Sequence, residues 1–158
     1  MTIISYWGAV SRIGASTWPS RLAGPTVRFL GRVPDGERRR LLSRCRAFLW
    51  PGEEDFGLAP LEANASGRPV IAYAGGGALE TVEEGRTGAF FRAATAEALA
   101  EALQRFDPDA YDPAALRRHA LRFDVTRFED ELRMYVAAVM GGLELPQRGV
   151  EHGNGSTA

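Results

Sequence analysis

Short apolar runs recur along this chain, each stopped by glycine, proline or charge, and stretches of helical period fill the intervals between them. AFLW (Ala47 to Trp50), PVIAY (Pro69 to Tyr73) and GAFF (Gly88 to Phe91) read as buried strands, and TVRFL (Thr26 to Leu30) and Thr2 to Trp7 as two further strands. Between them, Asp35 is an N-cap for a helix over Gly36 to Arg46 with Leu41 and Leu42 inward, leaving Arg38, Arg39 and Arg40 mostly solvated. A second helix begins after Gly57 and stops at Gly67, and a third pattern resumes at Ala78. Thr95 caps Ala96 to Phe106, whose Leu99 and Leu103 share one face, and Asp112-Pro113 opens Ala114 to Arg122. The last helix, Val125 to Met140, carries Phe128, Leu132, Tyr135 and Val139 at spacings that suit core packing, with docking of a partner as the alternative. Strands alternating with helices predict an α/β domain: an open, mostly parallel, Rossmann-like sheet with helices on both faces.

Candidate chemistry gathers between Glu53 and Glu80. Glu54 and Glu62 lie eight positions apart around Phe56-Gly57-Leu58, and Gly75 to Gly77 follow one strand later. Pro60 suits a first helical turn and Glu62 would project from that turn, near the positive end of the dipole. Glycines after PVIAY let backbone N–H groups approach a ligand beside another helix start. Both strand-to-helix turns open on the carboxyl edge of the sheet, where such folds bind ligands. Close helix–sheet packing alone also explains a glycine turn, and dipole pairing alone explains a first-turn glutamate. Glu54 precedes the helix and has no capping role, which favours a site for an anionic, hydroxyl-rich ligand.

Composition narrows the chemistry. With 158 residues, 45% hydrophobic and 25% charged, the chain is long enough for one ordinary core. The net charge of −1 offers no nucleic-acid or membrane footprint. All 19 basic residues are arginine, which excludes a Schiff-base lysine and a P-loop lysine. Cys45 is the one cysteine, placed beside Leu41 and Leu42 as a core residue, so no internal disulfide can form. No secretory signal or long apolar run is evident, so the expected location is cytoplasmic, with the inner membrane face as a peripheral alternative. Asp107-Pro108-Asp109 reads as a turn between helices rather than a metal pair, and no metal site is expected. His119 has no second His or Cys at ligand spacing and reads as a surface residue.

The stretch EDFGLAPLEANASGRPVIAYAGGGALETV resembles the signature of the group 1 (family 4) glycosyltransferases, retaining enzymes of the GT-B architecture with two Rossmann-like halves. The Glu54 and Glu62 pair, Phe56-Gly57-Leu58, Gly67-Arg68-Pro69-Val70-Ile71 and the glycine loop ending at Glu80 carry it. It extends from about Gly24 to Phe106 and is strongest to mannosyltransferase-like members. The resemblance implies that this chain is the C-terminal, donor-binding half, with a UDP- or GDP-hexose as substrate and no further cofactor. It implies that Glu62 bonds the ribose hydroxyls and that Glu54 lies beside the transferred sugar as the catalytic residue. Phe56 would belong to the nucleotide-sugar site, the backbone of Gly57 and Leu58 would donate to the diphosphate, and Gly75 and Gly76 would border sugar and phosphate. Arg32 and Val33, in the loop after TVRFL, would run near the base.

The domain is expected over residues 1–141, with an irregular start over 1–23 and a disordered tail over 142–158. Ser11 to Arg21 is poor helix material where the family has a helix, as a truncated or frame-shifted start would produce. The family's acceptor-binding half, and the donor half's first strand-turn-helix with its phosphate-neutralising cations, have no counterpart in these residues. Three readings follow: a hexosyltransferase donor half working in a longer protein or with a separate acceptor-domain subunit, a non-catalytic nucleotide-sugar or partner-binding module, or a truncated remnant.

Overall fold

The computed structural model of the protein describes residues 3–5 and 24–141. The expectations made for Ser11 to Arg21 and for the tail over 142–158 fall outside the described residues. Four strands, β1 (Ile3–Ser5), β2 (Ala47–Trp50), β3 (Val70–Tyr73) and β4 (Gly88–Phe91), form one parallel sheet in the order β1-β2-β3-β4. Phe48 registers with Val70, and Val70 in turn with Gly88. The helices are α1 (Asp35–Arg44), α2 (Leu58–Ala65), α3 (Ala78–Thr81), α4 (Ala96–Arg105), α5 (Pro113–Ala120) and α6 (Val125–Met140).

Alternation along the strands sends side chains to two cores, because successive residues of a strand point to opposite faces. Phe48, Trp50, Val70 and Ala72 pack with Leu42 of α1, Ala63 of α2 and Ala78 of α3. Ala47, Ile71 and Phe91 pack with Phe106, against Leu99 and Leu103 of α4. The sheet is therefore covered on both faces, which is why its strands are nearly continuous apolar runs. Cys45 lies fully inside, and burial pushes its thiol up to about 11, as expected of an inert core residue.

Local signals set most boundaries. The Thr95 hydroxyl accepts from Ala98 N–H at 3.2 Å, and the Asp112 carboxylate accepts from Ala114 and Ala115 N–H at 2.9 and 3.1 Å. Asp107 Oδ1 accepts from Asp109 N–H at 3.0 Å inside a 3-10 turn over Pro108–Ala110, so Asp-Pro-Asp is a turn. Gly67 N–H bonds Asn64 O at 2.8 Å and Arg68 N–H bonds Ala63 O at 2.9 Å, closing α2 as the glycine predicted. At α1, however, Pro34 is the N-cap and Asp35 is the first helical residue; its carboxylate pairs with Arg38 at 3.4 Å instead of capping.

Other expectations are corrected by tertiary contacts. TVRFL is not a strand: Val27, Phe29 and Leu30 are about half exposed, and no strand of the sheet pairs with them. A β propensity without a neighbouring ladder does not make a strand. His119 is not a surface residue but is buried at 7% exposure. Its Nε2–H donates to Thr81 O at 2.8 Å, since a carbonyl can only accept, and Nδ1 lies 3.3 Å from Glu83 Oε1. That ring ties α5 to the end of α3, a pairing across 38 positions invisible in spacing. The chain packs as two units, Met1–Arg122 and Phe123–Ala158. Within the second, α6 forms over the residues expected.

Asn64 is fully buried, and its Nδ2 donates to Arg68 O at 3.0 Å and Thr87 O at 3.2 Å, joining α2 to the turn before β4. Asn64→Ala removes both bonds, leaving Thr87 O only its bond from Val70 N–H at 3.1 Å, and is expected to cost about 1–3 kcal/mol in urea denaturation. A second outcome concerns acid. Backbone N–H bonds, that of Ala114 first, hold the Asp112 carboxyl below its ordinary 3.8. A depressed folded pKa means that its stabilisation is present above the unfolded value and is lost as pH falls through the folded one. The melting temperature of Asp112→Asn should accordingly fall less steeply than that of the wild type as pH drops below about 4.

Candidate functional site

Two loops leave the carboxyl ends of adjacent strands: residues 51–57 after β2 and 74–77 after β3. They are locked together. Gly77 N–H donates to Glu54 O at 2.6 Å, and the backbones approach so closely that a Cβ at Gly77 would overlap the Phe56 main chain. A Cβ at Gly76 would likewise overlap Glu54 O. Gly57 sits at φ +84° as the N-cap of α2, and a Cβ there would lie 3.2 Å from Thr81 Oγ1, whose hydroxyl donates to Gly77 O at 2.9 Å. The glycines thus serve loop-to-loop contact first.

That changes the expectation for the glycine loop. Gly75 N–H donates to Tyr73 O at 2.9 Å and Gly77 N–H to Glu54 O, so neither amide is turned to a ligand. The helix behind them, α3, is a single turn. The N-terminus that can receive an anion is that of α2, eight residues long, where Gly57 offers no capping side chain to the first-turn amides. Phe56 and Leu58 flank it, 49% and 65% exposed, and Glu53, Glu54, Asp55 and Glu80 are all exposed around it.

Glu62 does not project from the first turn. With α2 starting at Leu58, it is the fifth helical residue, and no acidic residue lies in the first turn. The dipole reading loses force there, because that effect fades beyond one turn. Its carboxylate is held instead by Arg38, whose Nη1 lies 2.7 Å from Oε1 and 2.5 Å from Oε2. Arg38 is the member of the arginine run that is not solvated as expected, its side chain being 28% exposed. No spacing rule announces this pair, which spans 24 positions.

Glu54, Phe56, Gly57, Gly75 and Gly76 are therefore brought together by the two loops, with Leu58 and Glu62 on the helix that rises from them. Arg32, exposed, and Val33, half-buried, precede α1 on the chain, and α1 is the element that reaches Glu62 through Arg38. A separate depression of about 240 Å³ lies at the opposite, amino ends of β2 and β3, lined by Arg46, Arg68, Pro69, Asp109 and Tyr111. Arg46 there is already paired with Asp109 at 2.5 Å. Among the described residues, no group of three or more His, Cys, Asp or Glu could hold a metal ion, and no helix is long and apolar enough to cross a membrane.

Residues 19–121 match the model of the family described as glycosyl transferases group 1. The chain belongs to that family. The chain is 32% identical over 123 residues to the alpha-1,3/1,6-mannosyltransferase ALG2 of Homo sapiens, covering 74% of the chain and 29% of the human protein. With the ALG2 of Dictyostelium discoideum it shares 43% identity over 63 residues, 39% of this chain and 15% of that protein. Among solved structures, sucrose-phosphate synthase from Thermosynechococcus elongatus superposes with a TM-score of 0.66 at 28% identity, over 78% of this chain and 33% of that one. HepE of Anabaena, in complex with UDP and glucose, superposes with a TM-score of 0.53 at 25% identity, over 63% of this chain and 29% of that one. The chain thus spans less than a third of the length of either mannosyltransferase.

The loop contact predicts a sharp sensitivity at one glycine. Gly77→Ala must push the Phe56 main chain away, and is expected to lower stability by about 1–3 kcal/mol, read as a shift of the urea midpoint at unchanged slope.

Proposed function

We propose that this chain is the donor-binding half of a retaining, metal-independent hexosyltransferase that takes a UDP- or GDP-hexose. The observation that carries the reading is the lock between the two carboxyl-edge loops by the Gly77–Glu54 hydrogen bond, beside an α2 N-terminus that no side chain caps. A UDP-bound relative with a TM-score of 0.53 supports the choice of ligand class.

In this reading the diphosphate meets the first-turn amides of Gly57 and Leu58, where the helix dipole and oriented N–H groups favour negative charge. The same groups stabilise the nucleotide diphosphate as it departs, a task that fixed dipoles perform without reorganisation. Phe56 covers the phosphates, Gly75 and Gly76 border phosphate and sugar, and Arg32 and Val33 approach the base. Glu62 accepts from the ribose hydroxyls. Glu54, whose main chain is fixed by Gly77, directs its carboxylate beside the transferred sugar as the catalytic residue. Acceptor binding falls to a region beyond these residues, whether in a longer chain or in a separate subunit. Work at the inner face of a membrane, in the cytoplasm, would suit a mannosyltransferase-like enzyme.

Titration calorimetry of the chain with UDP- and GDP-hexoses tests the reading. Saturable binding is expected for one of the two, weakened about tenfold in Glu62→Ala, the effect of losing hydrogen bonds to a charged group. A folded chain that binds neither sugar nucleotide would sink the proposal and favour a partner-binding module.

A further inference from the structure

Three consecutive arginines on a surface helix ordinarily extend into water. Arg40 is satisfied on its own helix by Glu37, at 2.7 and 2.6 Å. Arg38 does something different, crossing from α1 to α2 to place one guanidinium nitrogen between the two oxygens of Glu62, at 2.7 and 2.5 Å. Its other terminal nitrogen lies 3.4 Å from Asp35 Oδ1, so the guanidinium is held from both sides. With side chains 28% and 41% exposed, the Arg38–Glu62 pair is of the solvent-screened kind that adds little to folding. Stabilising the fold is a small part of what it does.

Its geometric effect is larger. A glutamate side chain with no partner samples several rotamers, whereas a carboxylate bridged by one nitrogen has its plane and position defined. A carboxylate offers about four lone-pair sites, and Arg38 takes one on each oxygen, leaving acceptor capacity on both. Two acceptors side by side match the two donors of a vicinal diol. We propose that Arg38 is a positioning residue for Glu62, and through it sets a preference for ribonucleotides over 2′-deoxyribonucleotides. The inference rests on the reading of Glu62 as the ribose acceptor. A nucleotide without the 2′-hydroxyl leaves one oxygen of the oriented carboxylate without its donor, and loses that bond without gaining another.

The test titrates the full chain with UDP and GDP and with their 2′-deoxy counterparts, for the wild type, Arg38→Ala, Arg38→Lys and Glu62→Ala, with thermal unfolding of each. Wild type is expected to favour the ribonucleotide by about tenfold, the order of one hydrogen bond to a charged group. Arg38→Ala should lose most of that ratio by weakening the ribonucleotide while leaving the 2′-deoxynucleotide affinity unchanged. Arg38→Lys, which keeps the charge, should recover part of it. A merely structural role would weaken both nucleotides together and leave the ratio intact, and that result overturns the proposal. So does an unchanged ratio in Arg38→Ala when Glu62→Ala abolishes it, an outcome that spares the ribose reading of Glu62. If the wild type is folded and binds neither nucleotide, or binds ribo and 2′-deoxy forms equally, the underlying site reading fails and this inference fails with it.

Discussion

Absence of a side chain at two positions is the constraint on which the candidate site depends. Where Gly76 and Gly77 pass the main chain of Glu54 to Phe56, there is no room for a Cβ, and the Gly77–Glu54 hydrogen bond of 2.6 Å closes the contact. This contact joins the exits of β2 and β3 into one rim. It sets where Glu54 lies, how Gly57 enters α2 and which amides are left for a ligand. Buried polar bonds such as Thr81 Oγ1 to Gly77 O extend the same rim inward.

Below the rim, the sheet makes the placement stiff. Strands buried on both faces leave little freedom for the loops that end them, since β2, β3 and β4 are fixed by core contacts on two sides. Polar groups then tie the outer layers together: Asn64 joins α2 to the turn before β4, and His119 joins α5 to the end of α3. Loops carry the candidate chemistry and a rigid scaffold aims it, the usual division of labour in α/β proteins. Arg38 adds a side-chain link of the same kind, from α1 to the carboxylate on α2.

Much of this was legible in the residues. β2 and β4 occupy the apolar runs AFLW and GAFF, β3 starts one residue inside PVIAY, and Thr95 and Asp112 cap the helices that follow them. Those signals are local, and the energies that decide them act within a few residues. TVRFL carried the same apolar pattern and formed no strand, because a strand needs a ladder partner and the pattern says nothing of one. The helix start after Gly57 was read correctly, yet Glu62 was assigned to the first turn, whereas a helix that begins at Leu58 makes it the fifth residue, beyond that turn.

By itself the sequence determined the fold class, the family and the residues that gather at the carboxyl edge, since apolar period, glycine placement and the spacing of Glu54 and Glu62 are properties of the chain. Tertiary structure alone decided what those residues touch. Whether a glycine faces a ligand or a neighbouring loop, whether His119 meets water or a carbonyl, and which of three adjacent arginines crosses to the Glu62 carboxylate depend on pairs up to 38 positions apart. Such contacts arise from the packing of whole elements against each other, and no local pattern of residues encodes their partners.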